Sequence, residues 1–533
     1  MTDASTHNDD DDDKLLLKMG YPPLLHRGLS SVMNFAFGFT EVCVLGSVCL
    51  TFNYALATGG PACIFWTFLV QFLLTIFISF SMAEICSAYP SAGSVYHWSG
   101  QLTPLKWAPL CSYICGWANF VGNAAGDATF ATGFASFLSS ALVSSGYSAI
   151  EARPQVGISI AVIFFWSVLN CFRIDQVGWV NNLAAVVHTG SLIIILVALL
   201  SLTPKLSTAD FVFTGYNNTT GWTDHSYVGA IGITAALFSF AGYEASAHMS
   251  EETTNSRTSA PKGIINTVLA TGIGGLVLIL GLLFANSDIA AATTDDPYYA
   301  ALNTDYPATG NAAINVFILA CGNTWGQALA WLVLINIFFA GISSVAVTGR
   351  ITFALTRDKA FPYSDFLSRV NPLIKTPVNS IMFVFVVDAL LQLLPLDTSN
   401  GTIAYNSIIG LATVGWQISY AIPILLKLIF NPKDFPLTPL SLGRFSAPCG
   451  WISTLWLLGS SCLFFLPTES PVNEHSMNWL VVVVSGTAFL CGLNWIFNSQ
   501  YNFSGPRRSD LPFIAVKTAE EGTGVQEVVP LAE

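Results

Sequence analysis

The sequence predicts an all-α membrane protein with about twelve transmembrane helices, and three observations predict it. Of the 533 residues, 53% are hydrophobic and only 10% charged, against roughly a quarter charged in soluble domains. Apolar runs such as Leu183 to Leu202 and Ile264 to Ala285 reach the roughly 20 residues that a helix needs to cross a hydrocarbon layer. Threaded alternately through a bilayer, the runs leave nearly all of the 20 Lys and Arg residues on one side.

In order, the spans read as 31–57, 61–86, 107–142, 155–171, 178–203, 227–247, 263–286, 326–356, 377–396, 402–430, 449–467 and 476–497, a membrane domain over 29–497. The loop 287–325 is long, and its short apolar stretch Ala312 to Cys321 reads as a helix lying on the surface. The tails, 1–28 and 498–533, are rich in Ser, Gly, Pro and acid, including the run Asp9 to Asp13. Such composition predicts disorder.

Placing the N-terminus inside puts only Arg153 and Lys205 outside, a strong positive-inside bias. Both tails are then cytoplasmic, in a plasma or vacuolar/endomembrane setting. The sequons at Asn217, Asn218 and Asn400 fall in outer loops and are glycosylation candidates. Eleven cysteines without a CxxC pair read as small apolar packers. The chain has no P-loop and no clustered metal ligands, which argues against an enzyme; no cofactor or metal is expected.

A charge at the bilayer centre costs about 2.5–3.5 kcal/mol on the insertion scale, so each one inside a span needs a reason. The candidates are Glu41, Asp127, His188, Glu244 and Asp388. Asp127 sits in Gly122-Asn-Ala-Ala-Gly-Asp-Ala-Thr, where small residues let a helix or ligand come close. It reads as an ammonium holder, a proton acceptor or a structural hydrogen-bonder. Glu244 follows Gly242, which interrupts an apolar helix, and reads as scaffold or coupling group. His188 titrates near neutral pH or stays neutral within the bundle. Glu41 reads as a coupling group, and Asp388 pairs locally or faces a watery crevice. Gly46, Ser47 and Val48 mark an unwinding point in the first span. Paired with Gly242 five spans later, they predict a five-plus-five inverted repeat with discontinuous helices 1 and 6.

Several stretches carry a family resemblance. They include Thr58-Gly-Gly-Pro, Ser81-Met-Ala-Glu-Ile-Cys-Ser-Ala-Tyr-Pro-Ser-Ala-Gly, Gly116-Trp-Ala-Asn, and Phe240-Ala-Gly-Tyr-Glu-Ala-Ser-Ala-His-Met-Ser-Glu-Glu-Thr. Arg350-Ile-Thr-Phe-Ala-Leu-Thr-Arg-Asp-Lys-Ala-Phe-Pro and Ile418-Ser-Tyr-Ala-Ile-Pro-Ile follow. In this order, from about Gly20 to Tyr501, they resemble the amino acid–polyamine–organocation superfamily, in its eukaryotic amino acid/choline and GABA permease branch.

The resemblance implies a LeuT-like fold, with substrate held between helices one, three, six and eight. It places substrate contacts at Gly46, Ser47, Val48, Phe240, Ala241 and Gly242, and the acid after the sixth-helix break at Glu244. Relatives carry their third-helix aspartate at the position of Ala131, one turn from Asp127. The expected activity is secondary transport of amino acids or related small amines such as GABA, with proton coupling open. There Asp127 or a backbone carbonyl takes the ammonium. A choline- or polyamine-type cation carrier is the alternative, with Asp127 and Phe130 as its contacts. A non-transporting nutrient sensor is the reading from another class. The implied partners are the small-molecule substrate, membrane lipids and, on the coupled reading, protons, with no nucleic acid.

Overall fold

The computed structural model describes residues 3–286, 309–396, 401–431, 435–473 and 477–508, plus two three-residue strands, β1 (Phe513–Ala515) and β2 (Val528–Pro530). Asn400 lies outside the described residues.

The first span is two helices, α2 (Ser31–Val42) and α3 (Val44–Ala57), preceded by the tail helix α1 (Asp3–Lys18). Ser30 caps α2 by accepting from the Met33 N–H. Next come α4 (Gly60–Ala88), the short α5 (Ser94–Gln101), α6 (Ala108–Ser144), α7 (Ala152–Asn170) and α8 (Ile174–Leu202). A small helix, α9 (Ala209–Thr214), precedes the sixth span, which is α10 (His225–Phe238) and α11 (Ala245–His248) separated by irregular chain. The rest are α12 (Ser256–Ala285), α13 (Ala312–Arg357), α14 (Ser364–Leu367), α15 (Val378–Leu391), α16 (Gly401–Phe430), α17 (Ser446–Leu463) and α18 (Leu480–Asn494).

Among the described residues, eight helices are long and apolar enough to cross a membrane. The third, sixth, ninth and eleventh spans complete the twelve. They fall short for identifiable reasons: α6 carries Asn119, Asn123 and Asp127, α10 and α15 have 14 residues each, and α17 is rich in Ser.

Two expectations are corrected. Ala312 to Cys321 does not lie on the surface. Gly322 (φ 78°, ψ 167°) bends α13 there, and Ile314, Val316 and Phe317 are buried. The arm is pinned to α3, where the Asn53 amide donates to Gly310 O (3.1 Å) and Asn311 donates to Cys49 O (3.2 Å).

The N-terminal tail is also ordered from α1 onward. Helix α12 starts after Asn255 (φ 51°) with no side-chain cap of its own. Asp12 supplies one, accepting from the Ser256 N–H (3.2 Å) and Oγ (2.9 Å), where a carboxylate is favoured by the helix dipole. Arg27 donates to Thr253 O (2.7 Å) and Asp13 (2.9 Å). Acid that would repel itself in water is thus partnered on the protein. At the other end Phe503 is buried, Pro506 packs on Gly100, and Arg508 donates to Gly100 O (2.8 Å).

Candidate functional site

The site forms where two spans lose their helical hydrogen bonds. In the first, Cys43 adopts left-handed angles (φ 43°, ψ 59°) and separates α2 from α3. The first bond inside α3 runs from Ser47 N to Cys43 O (2.9 Å). The N–H groups of Val44, Leu45 and Gly46 therefore have no carbonyl of their own turn. The break thus lies one turn before the Gly46, Ser47, Val48 position expected from sequence. Gly46 is helical, and a Cβ there would meet Ile337 at 2.8 Å. Its smallness admits α13 rather than unwinding the chain. Ser47 bonds back to Cys43 O (3.2 Å), and Val48 is buried in α3.

The sixth span breaks between Phe238 and Ala245, with Gly242 at φ 92°, a region that side chains rarely tolerate. Phe240, Ala241 and Gly242 lie in this break, as the sequence reading places them. The Phe240 ring packs on Phe68 (4.9 Å) and Phe72 (6.0 Å) of α4. Phe130 lies beside Phe238 (6.4 Å).

Buried carboxyl groups surround the breaks. Glu41, in the last turn of α2, lies against Gly242, whose added Cβ would sit 3.2 Å from Glu41 Oε1. Neither Glu41 oxygen accepts a hydrogen bond. Glu244 differs: it accepts from Asn119 (3.3 Å), Asn123 (3.4 Å) and the Tyr420 hydroxyl. Asp127 faces Asp388 of α15. Glu41 lies within electrostatic reach of both Glu244 and Asp127. Among the described residues, no Lys, Arg or His pairs with any of the four. Buried charge without a counter-charge is strongly unfavourable, so protons or a cationic ligand must balance this group.

The structure therefore brings Glu41, Asp127 and Glu244 together and adds Asp388. It leaves His188 apart, edge-on to Phe39 (4.8 Å) and beside Asn336. The sequence reading missed Cys43, Asn119, Asn123 and Tyr420 as site residues. A signal existed for two of them. Residues 119, 123 and 127 recur every fourth position, which puts their side chains on one helix face.

A cavity of about 400 Å³ leads toward the breaks from the face opposite the tails. Thr51, Tyr54, Phe238, Tyr405 and Glu469 help line it. Phe238 ends α10 at the second break, and Thr51 lies about two turns beyond the first. On the same face Asn218 donates to Trp222 O and accepts from Thr220, while the Asn217 nitrogen is covered.

The tail face is shut. Arg350 pairs with Glu252 (2.9 Å) and Arg357 with Glu251 (3.1 Å). The Arg357 guanidinium lies 3.8 Å over the Tyr21 ring. Tyr21 and Tyr96 both donate to Asp358 (2.8 and 2.9 Å). Burial works against charge on Glu251, but Arg357 outweighs it and holds this carboxyl below the usual range. On Asp358 burial wins over Arg357 and pushes the carboxyl up. Burial, aided by Arg357, lowers His97 of α5 to about 3.

Residues 29–487 match the amino acid permease family. The chain is 31% identical to the amino-acid permease BAT1 of Arabidopsis thaliana, across 92% of this chain and 95% of that one. It is also 31% identical to a BAT1 homolog of Oryza sativa, across 92% and 94%. An uncharacterized amino-acid permease of Schizosaccharomyces pombe is 28% identical across 95% and 91%.

Proposed function

Since this chain belongs to the amino acid permease family and is a multi-pass amino-acid transporter rather than an enzyme, we propose that it is a secondary carrier that binds its substrate between the two helix breaks. The substrate carboxylate docks on the N–H groups of Val44, Leu45 and Gly46 at the start of α3, where the helix dipole favours an anion. The ammonium lies between Glu41 and the carbonyl end of α10, as discontinuous helices allow. The observation that carries this reading is Glu41, buried against Gly242 with no donor on either oxygen. Glu244, already saturated by Asn119, Asn123 and Tyr420, serves as scaffold.

The Lys and Arg bias supports cytoplasmic tails, so substrate enters the cavity from the exterior or lumen. A second reading rests on the four carboxyls without a cation: a choline- or polyamine-type substrate would balance more of that charge. Proteoliposomes given labelled amino acids, GABA, putrescine and choline decide between them. The carrier reading expects amino-acid uptake that unlabelled amino acids suppress. Choline or putrescine uptake untouched by excess amino acids would overturn it, and saturable binding without flux would indicate a sensor.

A further inference from the structure

We propose that Asp127 and Asp388 form a dedicated proton-binding site, separate from the substrate contacts, in which the two carboxyl groups share one proton. This rests on the carrier reading above for its consequence, though not for its existence.

The geometry is that of an acid pair. Asp127 of α6 and Asp388 of α15 are both fully buried and face each other. No protein donor reaches hydrogen-bond geometry on any of their four oxygens. The helices are locked in this register one turn further on. Gln392 donates to Ala128 O (2.9 Å) and accepts from the Thr132 hydroxyl (2.8 Å). Beside Asp127, α13 brings Ser344 and Thr348. The Ser344 hydroxyl is itself buried and without a partner.

The titratable and charged groups around the pair do not neutralise it. Glu41 of α2, within electrostatic reach of Asp127, is another acid. Helix α7 carries one ionisable residue, Arg153 at its outer end. On α16, Tyr420 is bonded to Glu244 and Lys427 to Glu84. Arg350 of α13 is held by Glu252. Two carboxylates in such a place cannot both be ionised, whereas one shared proton makes a hydrogen bond and removes one charge. One proton joins two carboxyl groups without any further ligand, so a proton is the ligand this pair suits.

On this inference an external proton occupies the pair while substrate occupies the breaks, and Glu41 couples the two electrostatically. Asp388→Asn keeps size and hydrogen bonding but leaves no second carboxyl. In proteoliposomes we expect the ratio of pH-gradient-driven accumulation to counterflow exchange of labelled amino acids to fall at least tenfold. Without substrate, the melting temperature of the purified wild type should fall as pH rises from 6 to 9, because the pair is forced to lose its proton. Asp388→Asn should flatten that slope. Ser344→Ala should shift it, while Ser343→Ala, whose hydroxyl is committed to Asn181, should not.

An unchanged ratio and an unchanged pH slope in Asp388→Asn overturn the proposal. So does sodium-dependent stabilisation of the wild type at fixed pH that Asp388→Asn abolishes, since the pair would then hold a metal cation. If the wild type exchanges no amino acid but keeps the pH slope that Asp388→Asn removes, the substrate reading fails and the proton site stands.

Discussion

Removing a single oxygen at position 21 should loosen the tail face. The Tyr21 hydroxyl donates to Asp358 (2.8 Å) and accepts from the Arg507 N–H (2.9 Å). Tyr21→Phe deletes both bonds but keeps the ring beneath Arg357 (3.8 Å). A hydrogen bond to a charged group is worth about 1.5–3 kcal/mol and a neutral one about 0.5–1.5. Burial pushes the Asp358 carboxyl up, and Tyr96 still donates to it (2.9 Å). The lower ends apply, for about 2 kcal/mol, or roughly 30-fold in the docked-to-released ratio. Hydrogen exchange in lipid nanodiscs measures this directly. The Arg507 amide and those of residues 19–27 should lose protection by roughly that factor, with the transmembrane helices unaffected. Unchanged exchange at these amides would show that the tails do not close this face.

Four other outcomes are expected. Gly242→Ala forces a side chain into φ 92° and against Glu41; it should remain folded by thermal melting yet lose uptake, and normal uptake counts against the substrate site. Glu41→Gln should raise the substrate Kd about 10–150-fold, the equivalent of one charge-assisted bond; equilibrium binding showing an unchanged Kd removes Glu41 from the site. His97 is lowered to about 3 by burial, so the unfolded chain binds its proton first and stability falls as pH drops below 6.5. The loss is about 2 kcal/mol by pH 5; His97→Gln should flatten the melting profile there, and an equal slope refutes the assignment. Glu252→Gln leaves the Arg350 guanidinium buried without its counter-charge and should cost about 3–5 kcal/mol of stability, without raising exchange at residues 19–27. A stable variant with an exposed tail would contradict that.

Span number and the sixth-helix break were legible because they rest on period-independent signals: run length, and a glycine just before an acid in apolar sequence. The first break was misplaced by a turn. Gly46 looks like an unwinding point, but its missing Cβ admits Ile337, whereas Cys43, a residue with no special claim to left-handed angles, makes the turn. Asp388 was seen but its partner was not, because α6 and α15 are far apart in sequence and only the fold sets their register. The ordered N-terminal segment escaped for a related reason. Composition reports whether a segment can fold alone, and this one folds on α12, where Asp12 finds an uncapped helix end.

The two kinds of contact on the tail face also indicate how it opens. Glu251 and Glu252 follow α11 in the chain, and their arginine partners are on α13. Pulling the α11 segment from α13 would strand buried charges on both sides, the costliest loss a bundle can suffer. Helix α2 and the tails are held instead by hydrogen bonds, among them Leu29 N–H to Glu252 O (2.8 Å), Thr254 N–H to Leu29 O (2.9 Å) and the Ser256 hydroxyl to Asp12 (2.9 Å). Asn34 donates to Ser246 O (2.8 Å) and Thr253 Oγ1 (2.9 Å), Arg27 to Thr253 O, and Tyr21 to Asp358. These bonds can pass to water one at a time. The cheaper route therefore moves α1 and α2 with both tails and leaves the α11 segment fixed to α13. That motion carries Glu41 with α2 away from Gly242, while Asp127 and Asp388 stay on helices the opening need not disturb. Substrate counter-charge and proton site would then separate during the same movement, which gives the carrier a structural means of linking release of one to loss of the other.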